Sequence, residues 1–376
     1  MKLKRFIFFG AIISCLLGVI IIGRENVLYQ KTREVLFNNI LHLNSYSIQS
    51  DLNLGKEFFR KWRLKKAMVH FDRVLKSETN NAEAHYFKGK ILYIRNRTDE
   101  AMRHYEESIR LDRNFTLAYN GLAMALIKKE KFTDAAKYLY EALDHEPDNA
   151  DTNFGLGFAY LEQGRYDQAV IHFKRSLKNK PDSAEAYYKL GLTHENVGDT
   201  ENAIINFYNA FKLKPYFVDN ITHFALNLYR KGEYEQSVHY YKKALDLIPN
   251  NENFYFNIGA ALTELKMYNK AISYYSKAIK INPSHTNALN NLANAYYMTG
   301  DMEESVTQFI KLLDINPDSL EAHFNLGIIL EKMGNLKKAM KHFEEVLRIK
   351  PDFAKAQDLI FRLKNKGTIQ PQTFTD

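Results

Sequence analysis

The sequence predicts an all-α solenoid of stacked helix-turn-helix units, and three observations predict it. Prolines stand at 147, 181, 215, 249, 283, 317 and 351, each 34 residues from the next. That is the length of a two-helix repeat, a unit that cannot bury its apolar face alone. With each proline at position 32, position 8 holds Ala123, Gly157, Gly191, Ala225, Gly259, Ala293 and Gly327, and position 20 holds Ala135, Ala169, Ala203, Ser237, Ala271, Ser305 and Ala339. Position 24 is bulky throughout: Leu139, Phe173, Phe207, Tyr241, Tyr275, Phe309 and Phe343. Small positions facing large ones let two helices interlock.

The elements follow in chain order. Residues 1–5 carry Lys2, Lys4 and Arg5, and 6–23 run on without a charge until Arg24 and Glu25. As a helix this run reaches about 27 Å, close to the hydrocarbon thickness of a bilayer, which predicts a transmembrane signal anchor. A cleaved secretory signal has the same outline, but Ile20, Ile21 and Ile22 are poor neighbours for a cut. Ile12, Ile13, Ser14 and Cys15 resemble a lipobox around the single cysteine, although the run stays apolar beyond it. Arg24, Lys31 and Arg33 nearly balance the basic start. The cationic start itself places the N-terminus in the cytoplasm and the array outside it, in a bacterial periplasm or equivalent lumen. The alternatives are a cytoplasmic array and a lipoprotein held at Cys15. Residues 24–47, with Val27, Leu28, Val35, Leu36, Ile40, Leu41 and Leu43, read as a helical connector.

Nine repeats then span 48–81, 82–115, 116–149, 150–183, 184–217, 218–251, 252–285, 286–319 and 320–353. The first two have Thr79 and Arg113 in the proline slot, and Lys88 sits at a leucine position, so irregularity is expected there. At position 15, Gly164, Gly198, Gly232, Gly300 and Gly334 end the first helix in a left-handed residue. Asp148, Asn149, Asp182, Ser183, Asn250, Asn251, Ser284, Asp318 and Ser319 lie where the next helix needs a cap. Phe353, Ala356, Leu359, Ile360 and Leu363 give 354–366 one apolar stripe, a capping helix for the last repeat. Residues 367–376 are a polar tail.

The unit 252–285 shows the motif most fully, with Tyr255, Ile258, Gly259, Leu262, Ala271, Tyr275, Ala278 and Pro283. It resembles the tetratricopeptide repeat (TPR), and nine units in phase extend the resemblance over about four fifths of the chain. The resemblance implies a right-handed superhelix that binds protein or peptide partners in a concave groove lined by the first helices. Positions 2, 5, 6, 9, 12 and 13 face that groove in the family. Carried over, position 5 gives Tyr86, Phe154, Tyr188, Phe256, Asn290 and Phe324, aromatic faces that suit a peptide interrupted by an amide. Position 6 gives Asn257, Asn291 and Asn325, joined by Asn294 at position 9. Primary amides donate and accept, so a row of them can hold a peptide backbone, as in the asparagine ladder of the family's protein O-glycosyltransferases. Asparagine here also fits helix packing and solubility. The carboxylate clamp of co-chaperones is not reproduced at position 9.

The net charge of +8 is concentrated at one end. Residues 1–113 hold 21 Lys and Arg against 12 Asp and Glu, a balance of +9, and the remainder is −1. The densest cluster is Lys56, Arg60, Lys61, Arg63, Lys65 and Lys66, interleaved with Phe58, Phe59 and Trp62. It reads either as a solvated helix face or as a contact for anionic lipid headgroups. Contact with cytoplasmic lipid would reverse the orientation given above. No nucleic-acid motif accompanies the patch.

No enzyme chemistry is expected. Phosphate loops, serine elbows and closely spaced metal ligands are absent from the sequence, and no cofactor or small-molecule substrate is implied. His70, His104, His172 and His342 all fall at position 23, which spaces them too widely between repeats to share an ion. The expected function is a membrane-anchored scaffold for protein partners in envelope or secretory assembly. The alternatives are an accessory subunit of an enzyme on another chain, such as a glycosyltransferase, and a cytoplasm-facing adaptor.

Overall fold

A computed structural model describes residues 48–367; the expected anchor and connector within 1–47, and all of the expected 367–376 tail except Gly367, lie outside the described residues. The described residues form nineteen α-helices and no strand. Two helices, A and B, fill each 34-residue unit: α1 (Ile48–Arg60), α2 (Leu64–Ser77), α3 (Ala82–Ile94), α4 (Thr98–Leu111), α5 (Thr116–Lys128), α6 (Phe132–His145), α7 (Ala150–Glu162) and α8 (Tyr166–Asn179). The series continues with α9 (Ala184–Asn196), α10 (Thr200–Leu213), α11 (Val218–Lys231), α12 (Tyr234–Leu247), α13 (Glu252–Glu264), α14 (Tyr268–Ile281), α15 (Thr286–Thr299), α16 (Met302–Ile315), α17 (Leu320–Lys332) and α18 (Leu336–Ile349). The last helix is α19 (Ala354–Gly367). By their contacts these residues fall into two compact units, one ending at Ala159 and the other beginning at Tyr160. Among them no helix is long and apolar enough to cross a membrane.

The predicted interlock is the packing rule of every repeat. No residue at position 24, from Phe71 to Phe343, is more than 2% exposed, and every residue at position 20 is fully buried. At Gly55, Gly89, Gly191, Gly259 and Gly327 of position 8, the ring at position 24 fills the space a Cβ would need. A Cβ on Gly259 would meet Tyr275 Cε1 at 2.6 Å, and one on Gly327 would meet Phe343 Cε1 at 2.5 Å. Where position 8 is alanine and position 20 serine, the hydroxyl is spent locally. Ser237 Oγ donates to the Ala225 carbonyl at 2.8 Å and Ser305 Oγ to that of Ala293 at 2.7 Å, which satisfies a buried polar group.

The first two repeats are regular, contrary to the expectation drawn from their missing prolines. Their turns close with the same bonds as the proline-bearing ones: Asn81 N to Glu78 O at 3.3 Å and Phe115 N to Asp112 O at 3.2 Å, beside Asn149 N to Glu146 O at 3.1 Å. Proline favours this turn but does not make it. Lys88 is accommodated because its ammonium reaches Asp72 on α2 at 2.7 Å, leaving its stem to pack. The caps come from position 34, with Asn149, Ser183, Asn251 and Ser319 accepting from backbone N–H groups. In the eighth repeat His285, not Ser284, is the cap.

All five glycines named for position 15 have left-handed φ, between 70° and 93°. The other four repeats force Trp62, Asn96, Glu130 and Lys266 into the same region, at φ 58° to 64°. For an L-residue this conformation costs about 1–2 kcal/mol. Tryptophan is the bulkiest of the four and has no short polar chain to offset that cost. At the far end, Ala356, Leu359, Ile360 and Leu363 of α19 are buried against α17 and α18 in one apolar cluster, as the stripe predicts.

Candidate protein-binding surface

The A helices carry the residues expected to face a ligand, and each unit builds its surface by the same local logic. At position 5, Tyr86 on α3, Tyr188 on α9, Phe256 on α13 and Phe324 on α17 each stand beside the position-24 ring of their own repeat. The centroids lie between 5.9 and 6.1 Å from Tyr105, Phe207, Tyr275 and Phe343. Each also meets an aromatic residue at position 34: Phe115 at 5.3 Å, Phe217 at 4.7 Å, His285 at 5.0 Å and Phe353 at 5.2 Å. The expected groove aromatics are therefore fixed from two sides. Tyr86 is only 6% exposed and belongs to the core, while the other three are half-buried and keep one edge outward. Burial raises the Tyr188 phenol to about 12, with Asp219 and Glu195 adding to the effect. Phe154, on α7 in the first unit, pairs with Phe158 at 6.4 Å.

This aromatic seam was missed in the sequence, although a signal was present. Where position 34 is Asn or Ser it caps the next helix, and position 5 of that repeat is Leu52, Asn120, Phe154, Thr222 or Asn290. Phe115 and Phe217 provide no side-chain cap. They replace the cap with ring contact to the aromatic residue at position 5.

The amide row lies in the second unit, on α13, α15 and α17. Asn257 works against the rise that burial gives the Tyr241 phenol of the preceding repeat, and Asn291 Nδ2 donates to the Tyr275 hydroxyl at 3.4 Å. Thr263 Oγ1 also meets that hydroxyl, at 3.0 Å. At Asn291, position 6 thus serves first to satisfy a buried phenol at position 24 of the unit before it. At Asn325 the corresponding residue is Phe309, which offers no hydroxyl, and the Asn325 side chain makes no hydrogen bond among the described residues. Asn290 Nδ2 donates to Glu321 at 3.1 Å, while its buried Oδ1 has no partner. Asn294 likewise makes no side-chain hydrogen bond among the described residues.

A second ladder joins position 12 of one A helix to position 13 of the next, 35 residues on. In the second unit Arg230 Nη1 reaches Glu195 at 2.6 Å, Tyr229 meets Glu264 at 3.4 Å, and Lys332 bonds the Tyr297 hydroxyl and lies over its ring at 4.6 Å. In the first unit Lys128 lies over Tyr93 at 4.9 Å. Burial raises the Glu195 carboxyl, but His223 at 2.7 Å and Arg230 outweigh it and leave the group below its usual range. The spacing of 35, one more than the period, was the overlooked signal.

The basic cluster of the first unit is not one continuous patch. Lys56 turns away to pair with Glu83 on α3, and Arg60 and Lys61 share Glu57 at 2.9 and 3.2 Å. Arg63, Lys65 and Lys66 stay together beside Trp62, joined by Arg95 from the next repeat's turn. The position-23 histidines find partners within their own repeats. His104 Nδ1 lies 2.9 Å from His85 Nδ1, His342 Nδ1 lies 2.9 Å from His323 Nδ1, and His70 Nδ1 lies 2.7 Å from Asp51. Among the described residues, no three His, Cys, Asp or Glu side chains gather as a metal site.

Models of the tetratricopeptide repeat match residues 82–115, 126–191, 184–217, 253–285 and 285–352, and a TPR repeat model matches 225–266. The chain is a tetratricopeptide-repeat protein. Among solved TPR structures, it is similar to the C-terminal part of a TPR repeat-containing protein from Cytophaga hutchinsonii. That match has 18% identity and a TM-score of 0.57, covering 64% of this chain and 99% of that one. It is also similar to PilW, a type IV pilus biogenesis factor, at 18% identity and a TM-score of 0.52, covering 57% and 98%. MamA aligns at 25% identity and a TM-score of 0.42, covering 45% and 92%. A comparison with curated proteins found no match. The first two of these likenesses support the TPR fold, whose helix pairs present the surfaces described above. A fold shared this widely does not select a ligand.

Proposed function

We propose that this TPR protein is a membrane-anchored, non-enzymatic scaffold that captures protein partners on its A-helix face, in envelope or secretory assembly. The observation that carries the reading is the set of unspent amide atoms on α15 and α17. Asn294 on α15 and Asn325 on α17, both half-buried, make no side-chain hydrogen bond among the described residues. Half-buried amides with spare donors and acceptors suit an extended peptide, whose backbone offers both along its length. The ring edges of Phe256 and Phe324 supply apolar contact beside them.

The test must separate ligand binding from fold. Replacing Asn257 and Asn291 alone disturbs the surroundings of Tyr241 and Tyr275, so the starting background is Tyr241→Phe with Tyr275→Phe, in which those hydroxyls are gone. Adding Asn257→Ala, Asn291→Ala, Asn294→Ala and Asn325→Ala should weaken binding of peptides selected from an unstructured library. At about 0.5–1.5 kcal/mol per lost hydrogen bond, the loss is on the order of tenfold or more, with the urea midpoint held near that of the background. Equal affinity in the two proteins would remove the amide row from the site.

Anchoring rests on the charge-free run 6–23, and the cationic start favours an array outside the cytoplasm. Protease added to intact spheroplasts should then digest the repeats. Protection until the membrane is breached would place them in the cytoplasm and turn the reading to an adaptor on that side.

A further inference from the structure

The turn between α1 and α2 departs from its counterparts in a way that packing does not explain. Position 15 is a left-handed glycine in five repeats, yet here it is Trp62, at φ 58° and 68% exposed. It is the only tryptophan in the chain. A bulky residue held in a disfavoured backbone region and turned outward gains nothing from the core, so the outlier points to use. Around it Arg63, Leu64, Lys65, Lys66 and Arg95 line one shallow depression, and Val69 is 50% exposed nearby on α2. The arrangement joins two successive repeats, which the sequence did not reveal.

We propose that this tryptophan-tipped, cationic turn edge of the first unit docks onto an anionic phospholipid bilayer. Tryptophan favours the headgroup level, where its ring is half in hydrocarbon and its N–H meets polar groups. Lysine and arginine around it meet lipid phosphates, and their attraction fades with salt. Their charge opposes that of the lipid, and the turn lies near the start of the first repeat. Only 24 residues, 24–47, separate the first helix from the apolar run 6–23, at most about 80 Å of chain. The inference therefore rests on the anchored reading, which keeps the turn near a bilayer.

Because Trp62 is unique, its fluorescence reports this turn alone. The full chain is reconstituted into vesicles of phosphatidylcholine and into vesicles containing about one-third phosphatidylglycerol. With the anionic lipid, Trp62 emission should shift to the blue and be quenched by brominated acyl chains. High salt, or Lys65→Glu with Arg95→Glu, should reverse both effects, and these exposed substitutions should leave the urea midpoint unchanged. Emission identical in both vesicle types while the protein floats with both would overturn docking and leave the anchor intact. Failure to float with phosphatidylcholine would instead defeat the anchor. Flotation with anionic vesicles alone would then support docking, and its absence would sink that too. Quenching that persists in the charge-reversed variant would overturn the role of the basic residues.

Discussion

Phe343→Ala should destabilise the second unit by about 3–5 kcal/mol, the range for emptying a fully buried aromatic site. Phe343 has no exposed surface and packs among Leu326, Leu330, Ala339, Val346 and Ile360. The loss should appear as a lower urea midpoint. The more discriminating result concerns Gly327, whose absent Cβ is the space the ring occupies. In the native background, Gly327→Ala pushes a methyl group against Phe343 and should cost about 1–3 kcal/mol through overpacking. In the Phe343→Ala background the same methyl group enters the space the ring has left, so the added cost should vanish or reverse. The cycle should thus give a coupling of at least about 1 kcal/mol. Additive effects would show that position 8 is small for another reason, such as helix-to-helix approach between repeats.

That pair also shows what was legible in the sequence. A small residue facing a large one leaves a trace in composition at each site, and the 34-residue frame places the two sites in register. Gly259 with Tyr275, and Gly327 with Phe343, could be read off before any coordinates. The candidate surface was less legible because one residue can serve two masters. Asn257 and Asn291 were chosen for their amide chemistry, yet Asn291 also bonds a phenol one repeat away and Asn257 lies close enough to another to influence it. Only the geometry distinguishes Asn325, whose upstream neighbour at position 24 is Phe309. The aromatic seam was hidden for a related reason, since position 34 was read only as a cap and Phe115 or Phe217 there looked like a lapse. Contacts spaced by one period plus one residue, such as Glu195 with Arg230, lie outside a frame that compares equal positions. Trp62 was read as one member of a basic cluster, and its left-handed backbone appears only in the structure.

Acid should destabilise the protein well before its carboxylates titrate, through His104 and His172. Burial holds both imidazoles down to about 4. At His104 the effect is reinforced by Lys88, His85 and Arg103 and opposed by Asp72, and at His172 it is reinforced by Arg175. The His85–His104 contact fixes which ring nitrogens carry hydrogen in the neutral pair. His85 Nε2 faces the Thr79 carbonyl at 3.0 Å, and a carbonyl can only accept. The Nε2 nitrogen therefore carries the hydrogen in the neutral ring, leaving Nδ1 to accept from His104. Protonating His104 would charge a half-buried ring beside Lys88 and Arg103. Since the folded pKa lies below the unfolded value of about 6.5, the unfolded chain binds protons first as pH falls. The contribution is present in full above about pH 6.5 and declines towards pH 4. After allowance for solvent screening of these partly exposed rings, it amounts to roughly 1–2 kcal/mol for each histidine. Glu195 and Asp199 are also depressed, but carboxylates of that kind lose their contribution only at lower pH, so they leave the upper part of this window to the histidines. Burial also lowers the His342 imidazole, so urea midpoints measured from pH 7.5 to 5 should fall steadily in the native chain and flatten in the His104→Gln, His172→Gln, His342→Gln triple variant, whatever that variant's stability at neutral pH. An equal slope in both proteins would assign the acid sensitivity to other groups.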